Sequence, residues 1–339
     1  MRKALPFTLA WFLIAAVVVL AALEAGLRVS ARLRLRNVEH FVILQFGPLR
    51  PSAVPGLYIE LDPARSTPDV PIDAFGFRGG PIDQAKAPDE FRVALVGDSV
   101  VYGIALREPQ TIGAVVQATL AAEQRGGRLP PTPRISVLNA GVPSYNAAQE
   151  LAVIDRRLPP FAPDVIVEVL TANDFEGNGF VRFGNPVSRF LYAHARVYRA
   201  WIGASRLLFG APTDSGFQAW RDRNTTAMNE MFRRGREHPD RWLFVLHPIL
   251  AERPPTVYAK AYKAIRRMME ESGAPFLETG PILRQRFGSL DGLSASATDV
   301  IHPNARTAEV IGQAIAEELI RRILISRLAA ASPATGAAQ

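Results

Sequence analysis

A strand-like apolar run, VALV, leads into the triplet Gly97-Asp98-Ser99. A serine at such a strand end lies at the carboxyl edge of a parallel sheet, where α/β proteins bind their ligands. There Ser99 could act as a nucleophile, but serine and aspartate are also common helix caps. Because a Gly-Asp-Ser triplet arises by chance about once in ten sequences of this composition, the triplet alone favours a capped turn.

A histidine held by a carboxylate is the usual partner that turns a serine hydroxyl into a nucleophile near neutral pH. Among the five histidines, only His302 has an acid three residues before it in a loop, namely Asp299. This spacing lets the carboxylate hold one imidazole nitrogen while the other faces Ser99. Such pairs are often surface ion pairs. His247 has no acidic neighbour, and we interpret it as core packing or, at most, pocket lining.

Acyl transfer through a serine also needs hydrogen-bond donors for the oxyanion of its intermediate. Two later strand ends offer them: the Gly141 backbone in Asn139-Ala140-Gly141, and the Asn173 side chain in Thr171-Ala172-Asn173-Asp174. Alternatively, Gly141 is only a turn glycine and Asn173 only caps a helix. The serine, the glycine, the asparagine and the Asp-His pair are four modest signals, and they follow one another along the chain at predicted strand ends.

These four blocks, centred on Ser, Gly, Asn and His, resemble the SGNH/GDSL hydrolase family over roughly residues 91 to 325. The resemblance implies that Ser99 is the nucleophile and His302 the general base and acid, oriented by Asp299. It implies an oxyanion hole built from the backbone amides of Ser99 and Gly141 and the side chain of Asn173. The implied fold is a three-layer α/β/α sandwich with a flavodoxin-like parallel sheet.

Two positions depart from the family pattern, Val100 where leucine is frequent and Thr171 where glycine is usual. Neither change removes a reacting atom. A hydrophobic amino terminus and an arm containing Gly76-Phe77-Arg78-Gly79 are similar to the membrane-tethered bacterial members of the family. That similarity implies a substrate among acylated polysaccharides or lipids of the cell envelope.

The elements that must position these residues alternate between two patterns. Strand-like runs occupy residues 91–96, 134–140, 164–170, 242–247 and 275–279, and helical patterns occupy residues 109–125, 146–158, 217–238, 256–272 and 304–326. Apolar strands that alternate with helices predict an α/β fold with a parallel sheet covered on both faces.

The chain is predicted to contain several consecutive regions. They are a membrane anchor with a basic juxtamembrane segment (1–36), an extended Pro- and Gly-rich arm (37–90), the hydrolase domain (91–327) and a disordered tail (328–339). Residues 175–215 interrupt the alternation of strands and helices and are rich in aromatic side chains. We interpret this insertion either as a lid over a substrate cleft or as a small helical cap that packs its own aromatics.

The first region is predicted to span a membrane. Residues 4–23 carry no charge, and about 20 helical residues at about 1.5 Å each cross a hydrocarbon core of about 30 Å. The run is longer than the apolar part of a usual signal peptide and no suitable cleavage site follows it promptly, so we favour an uncleaved anchor over a cleaved signal.

The orientation of this span has two opposing indications. Arg2 and Lys3 precede it and four arginines follow it, at positions 28, 32, 34 and 36, which slightly favours a cytoplasmic main domain. The family resemblance instead implies an inner-membrane protein whose main domain is periplasmic or otherwise extracytoplasmic. We expect the latter, because the charge difference is small and the charge rule is statistical.

Composition excludes several classes of protein. The 339 residues contain no cysteine, which excludes disulfides, thiolate nucleophiles and cysteine-ligated zinc. The net charge of +7 suits an anionic partner, but no zinc-finger or basic-aromatic RNA pattern is present, so no nucleic acid is expected. P-loop, His-Glu-x-x-His and Gly-x-Ser-x-Gly motifs are also absent, and neither a metal nor a cofactor is expected.

The predicted activity is that of a serine esterase or deacylase acting on O-acyl esters through a Ser-His-Asp triad. Two alternatives remain open at this point. The same triad could transfer the acyl group to a glycan hydroxyl, or a catalytically silent accessory protein could use the cleft to bind polysaccharide.

Overall fold

The computed structural model describes residues 4–32, 48–57, 59–175, 215–297 and 299–331, together with scattered positions between 187 and 201. The chain forms two compact units. The smaller contains residues 1–51 and 181–212, and the larger contains residues 52–180 and 213–339.

The larger unit is built on a parallel sheet. The strands of the described chain are β1 (Leu49–Pro51), β2 (Ile59–Leu61), β3 (Glu90–Gly97), β4 (Arg134–Asn139), β5 (Val165–Leu170), β6 (Trp242–Leu246) and β7 (Phe276–Glu278). The last five form one sheet in the order β4-β3-β5-β6-β7, with every neighbouring pair parallel. All five carboxyl ends therefore lie at one edge.

The helices alternate with these strands. They are α1 (Ala4–Arg32), α2 (Ser99–Tyr102), α3 (Ile112–Arg125), α4 (Ala147–Arg156), α5 (Ser215–Glu237), α6 (Thr256–Ser272), α7 (Thr279–Phe287), α8 (Ala305–Leu319) and α9 (Ile325–Ala331). A π-helical turn, Ile320–Leu324, joins α8 to α9. Side chains cap several amino termini, such as Thr111 for α3, Asn146 for α4 and Asn304 for α8.

Helices cover both faces of the sheet. On one face, α3 and α8 pack together over apolar side chains of β3, β5 and β6, with Val116, Val167 and Ile315 among the buried residues. On the other face, α4 packs against β3 and α5, and α5 packs against β6 and α6. Both faces of the central strands are thus apolar, as expected for a parallel sheet. The predicted three-layer α/β/α class is confirmed.

The strand predictions agree with the structure to within one residue at each end, because buried parallel strands read as continuous apolar runs. Two differences concern helices. Helices α2 and α7 have no counterparts among the predicted elements. The carboxyl-terminal helical region continues to Ala331, past the predicted domain boundary at 327.

The part of the predicted arm that belongs to the larger unit packs against that unit. It buries Ile59, Leu61 and Phe77. Its Arg78 side chain donates to the carbonyl oxygens of Tyr102 (2.6 Å), Gly103 (2.9 Å) and Leu106 (2.6 Å). The arm therefore holds the carboxyl end of α2, the short helix that begins at Ser99.

The smaller unit contains α1. Residues Ala10–Val29 have a mean hydropathy of 2.3, and none of this stretch is buried within the protein. Such a helix is long and apolar enough to cross a membrane, and a signal sequence has the same properties. Near its carboxyl end, Arg28 pairs with Glu24 at 2.7 Å and donates to the His194 carbonyl at 2.9 Å. The Glu24 carboxylate accepts the Val197 amide at 2.9 Å.

Parts of four predicted regions fall outside the described residues. They are most of the insertion (175–215), residues 332–339 of the predicted tail, residues 1–3 and 33–36 of the anchor segment, and residues 37–47 of the arm. The interpretations of the insertion as a lid or as a cap remain predictions.

Candidate active site

Ser99 begins α2 immediately after β3. The turn requires a glycine at position 97, because a Cβ there would lie 2.6 Å from Val101 Cγ2 and 3.0 Å from the Val169 carbonyl oxygen. The Asp98 side chain caps α2 by accepting the Val100 amide at 2.8 Å. The helix cap that was the alternative interpretation of this triplet is thus present, with Asp98 as the capping residue. Ser99 itself is 6% exposed.

The structure brings Ser99, His302 and Asp299 together. Ser99 Oγ lies 2.8 Å from His302 Nε2, and His302 Nδ1 lies 2.7 Å from Asp299 Oδ2. Because a carboxylate can only accept, Nδ1 carries the proton and Nε2 is left to accept from the Ser99 hydroxyl. The serine and the histidine are separated by 203 positions in the chain, so only the fold brings them into contact.

Asp299 is held in its ionised form. Its Oδ1 accepts the backbone amides of Ile301 (2.8 Å) and His302 (3.0 Å). Partial burial would raise the pKa of this carboxyl, but the hydrogen bonds from the His302 ring and from these two amides outweigh it and lower the pKa to about 2. The carboxylate therefore holds the imidazole in a single orientation across the neutral range.

Asn173 lies beside the serine, within a small hydrogen-bond network. Its Nδ2 donates to Asp98 Oδ2 at 2.8 Å, and its Oδ1 accepts the Thr171 hydroxyl at 2.6 Å. The same Asp98 oxygen lies 3.3 Å from Ser99 Oγ. The contact with the Thr171 hydroxyl fixes which way the amide points. One of the two Nδ2 hydrogens is directed at Asp98, which leaves the second for another acceptor.

The backbone amide of Gly141, expected to be free to bind an oxyanion, has a partner inside the protein. Its backbone N–H donates to Asn139 Oδ1 at 3.0 Å, so this donor already has an acceptor within the protein. What demands glycine here is close packing, because a Cβ would lie 2.3 Å from the Tyr102 nitrogen and 2.7 Å from the Val101 carbonyl carbon. Asn139 also donates to the Val101 carbonyl at 2.9 Å. This loop therefore braces α2.

Four carboxyl groups are completely buried beneath this edge of the sheet: Asp98, Glu150, Glu168 and Asp174. Burial raises the pKa of Glu168, on β5, to about 8. Burial and the neighbouring carboxyl groups also raise the pKa values of Glu150, on α4, and of Asp174 well above their ordinary range. Within the described chain no side-chain oxygen of Glu150 or Glu168 has a hydrogen-bond partner, and the raised pKa values favour the protonated form of both carboxyl groups at neutral pH.

Several residues around the site were not singled out as site residues by sequence reasoning: Arg78, Asp98, Asn139, Glu150, Thr171, Glu168 and Asp174. One signal was available for some of them. Glu168 is a charged residue inside an otherwise apolar strand, Asn139 is the last residue of β4, and Thr171 directly follows β5. A polar side chain at a buried strand end must find a partner there.

No metal site is evident at this edge. Within the described ranges, no three or more His, Cys, Asp or Glu side chains are grouped in a way that could hold a metal ion.

Comparisons with known proteins give one family match. A model of the GDSL-like Lipase/Acylhydrolase family matches residues 95–310, a range that includes Ser99, Gly141, Asn173, Asp299 and His302. A search of curated proteins gives no match.

Solved structures with similar folds include three hydrolases. A lipase/acylhydrolase from Enterococcus faecalis is 16% identical, with 68% of this chain and 96% of that chain covered and a TM-score of 0.43. An acetylxylan esterase from Geobacillus stearothermophilus is 12% identical, with 70% and 96% covered and a TM-score of 0.44. An alpha/beta hydrolase from the metagenome of Lake Arreo is 16% identical, with 69% and 96% covered and a TM-score of 0.43.

Proposed function

Because this chain belongs to the GDSL-like lipase/acylhydrolase family of SGNH hydrolases, it is an ester-hydrolysing enzyme, and we propose that Ser99, His302 and Asp299 form its catalytic triad. The observation that carries the proposal is the continuous hydrogen-bond chain from Ser99 Oγ through the His302 ring to Asp299, with distances of 2.8 and 2.7 Å. This is the geometry in which a neutral imidazole accepts a serine proton.

In the first half of the reaction, Ser99 Oγ attacks the carbonyl carbon of the ester while its proton moves to His302 Nε2. The resulting imidazolium is stabilised by Asp299, which stays ionised. When the tetrahedral intermediate collapses, the bond to the alcohol oxygen breaks and His302 returns the proton to that oxygen. The alcohol leaves, and an acyl ester of Ser99 remains.

We propose two donors for the oxyanion of this intermediate, the Ser99 backbone amide and the second Nδ2 hydrogen of Asn173. The first hydrogen of Asn173 already points to Asp98, which fixes the amide plane before substrate arrives, as preorganised stabilisation requires. The Gly141 amide would join them only by exchanging its bond to Asn139 for one to the substrate.

In the second half of the reaction, a water molecule accepts the acyl group from Ser99. His302 takes a proton from water, the water oxygen attacks the acyl carbon, and the carboxylic acid leaves as Ser99 regains its proton. A glycan hydroxyl in place of water would give acyl transfer by the same steps. Hydrolysis is the proposal, since the family match is to lipases and acylhydrolases.

The proposed substrate is an O-acyl ester carried by a polysaccharide or lipid of the cell envelope. Two properties of the chain support this. An apolar helix near the amino terminus has the length and hydropathy of a membrane span, and a net charge of +7 favours association with anionic surfaces.

The proposed location is the inner membrane, with α1 as an uncleaved single span and the main domain outside the cytoplasm. Details of the smaller unit support an anchor. Glu24 and Arg28 lie near the end of the apolar stretch, where they bind the backbone of Val197 and His194. In the same unit Trp201 is 65% exposed, and exposed tryptophan side chains are typical of the membrane interface.

The triad is tested with the full chain in detergent micelles, using p-nitrophenyl acetate and butyrate. Ser99→Ala and His302→Ala are each expected to lower kcat by about a hundredfold or more. His238→Ala is a matched control, because His238 is exposed and precedes β6 at the opposite edge of the sheet.

Other results of this experiment would contradict the proposal. An unchanged rate in Ser99→Ala would exclude the serine as nucleophile. Wild-type protein that neither cleaves these esters nor reacts with a fluorophosphonate would favour a silent polysaccharide-binding protein. Release of acyl glycan rather than free acid, when a glycan acceptor is added, would favour the transferase.

A further inference from the structure

His247 is a buried histidine that the proposed mechanism does not use. It directly follows β6 and is 1% exposed. Its Nε2 lies 2.7 Å from the carbonyl oxygen of Ile301, the residue immediately before His302. Its own backbone N–H donates to the Leu170 carbonyl at 2.9 Å, at the end of the neighbouring strand β5. The ring is therefore anchored by the sheet and reaches the loop that carries Asp299 and His302.

The partner of His247 determines its tautomer. A carbonyl oxygen can only accept, so Nε2 must carry the hydrogen. Burial lowers the pKa of His247 to about 4, so the ring is neutral at physiological pH and Nδ1 bears no proton. Within the described chain this buried Nδ1 has no hydrogen-bond partner.

This arrangement is costly for a residue that only fills space. A buried polar atom without a partner destabilises the folded protein, and an apolar side chain of similar size would fill the same volume without that cost. The bond from Nε2 to Ile301 is thus the feature that distinguishes histidine from leucine at this position.

That bond acts on the peptide between Ile301 and His302. The Ile301 carbonyl and the His302 amide belong to one planar group, so holding the oxygen also sets the direction of the N–H. This N–H donates to Asp299 Oδ1 at 3.0 Å, and Asp299 Oδ2 binds His302 Nδ1 at 2.7 Å. A backbone bond from Leu250 to the Val300 carbonyl, at 2.7 Å, supports the preceding peptide.

We propose that His247 is a positioning residue for the triad, which through the Ile301–His302 peptide keeps Asp299 and the His302 ring aligned with Ser99. The inference rests on the proposed function, because it assigns His247 a role only if this triad is the catalytic one. This role also explains why a histidine without an acidic neighbour directly follows the core strand β6.

Substitution of His247 by glutamine or by asparagine tests whether the hydrogen bond to Ile301 matters or only a polar side chain is needed. The amide nitrogen of His247→Gln can reach the place of Nε2, whereas that of His247→Asn is too short, and His247→Leu has no donor. For the full chain in micelles, we expect His247→Gln to retain kcat to within about threefold. His247→Asn and His247→Leu should lose about tenfold or more in kcat with KM nearly unchanged, as is typical when support of a catalytic group is removed.

A spectroscopic readout shows whether the triad itself has moved. The proton between His302 Nδ1 and Asp299 should give a far-downfield proton resonance in wild type, which is lost in His302→Ala. We expect the resonance to persist in His247→Gln and to shift upfield or broaden in His247→Leu. Melting temperatures of all variants provide the control for general destabilisation.

Each outcome bears on one proposal. If wild type is inactive or Ser99→Ala retains activity, the proposed function fails. If wild type is active through Ser99 and His247→Leu matches it in kcat and in the downfield resonance, the positioning role is overturned. Equal losses in His247→Gln and His247→Leu would also overturn it. Should no variant fold, nitrogen chemical shifts of wild-type His247 still decide, because a proton on Nδ1 contradicts the proposed hydrogen bond.

Discussion

At the residue scale, the site combines side chains that are each held by several hydrogen bonds. Asp98 shows this most clearly, because one carboxyl group caps α2, binds Asn173 and lies 3.3 Å from Ser99 Oγ. Asp299 has a similar arrangement, with two backbone amides on one oxygen and the His302 ring on the other. Such support fixes side chains before substrate binds, which is what catalysis by preorganisation requires.

Replacing Asp299 by asparagine tests this support. The introduced amide can accept from the His302 ring only in one of its orientations, and in the other its NH₂ group favours the unproductive tautomer of the imidazole. We expect Asp299→Asn to lower kcat by about a hundredfold or more, as in other Ser-His-Asp enzymes. Steady-state kinetics would measure the loss, with the exposed Asp291→Asn as the control. A rate within a few-fold of wild type would show that Asp299 does not orient the histidine.

At the element scale, two loops at the carboxyl edge of the sheet and the arm meet around α2. The β4 loop packs against α2 through Gly141, the β5 loop reaches Asp98 through Asn173, and the arm binds the end of α2 through Arg78. Beneath them, Glu168 on β5 and Glu150 on α4 retain a proton in the core. The position of the nucleophile is thus a property of the strand ends taken together.

The buried acid on β5 makes stability depend on pH in an identifiable direction. Burial raises the pKa of Glu168 from 4.5 to about 8, so the unfolded chain loses this proton near 4.5 while the folded protein keeps it up to about 8. The free energy of unfolding should therefore fall as pH rises through this window. Glu168→Gln cannot ionise, and we expect its stability to fall less steeply.

Urea denaturation between about pH 5 and pH 9 would measure how steeply the free energy of unfolding falls with pH in wild type and in Glu168→Gln. The slope difference reports on the order of one proton, the one that Glu168 carries. Glu309→Gln is the control, because Glu309 lies on α8 and is exposed. Identical slopes in wild type and Glu168→Gln would mean that Glu168 is ionised in the folded protein.

At the scale of the whole molecule, an esterase domain shares its chain with a helix long and apolar enough for a membrane span. The absence of cysteine permits a direct test of the proposed topology with single introduced cysteines. Arg267→Cys would place a thiol on α6, where the arginine side chain is 78% exposed, and Arg2→Cys would place one before the span.

We expect a membrane-impermeant maleimide to label the Arg267→Cys protein in intact spheroplasts and the Arg2→Cys protein only after lysis. The reverse pattern would place the main domain in the cytoplasm, as the counting of flanking charges favours. Intact mass of the mature protein gives a second measure, since a chain that begins beyond residue 23 would identify α1 as a cleaved signal peptide rather than an anchor.

The sequence by itself determined the sheet and the residues of the proposed triad. Buried parallel strands leave continuous apolar runs, so the sheet was readable from local patterns. The residues of the proposed triad followed only from four blocks taken together and from the family resemblance that these blocks carry. Only the tertiary structure decided that the Gly141 amide binds Asn139, that Glu150 and Glu168 are completely buried, and that His247 reaches Ile301. These contacts join side chains to loops or elements whose separation and burial are set by packing, which spacing along the chain does not encode.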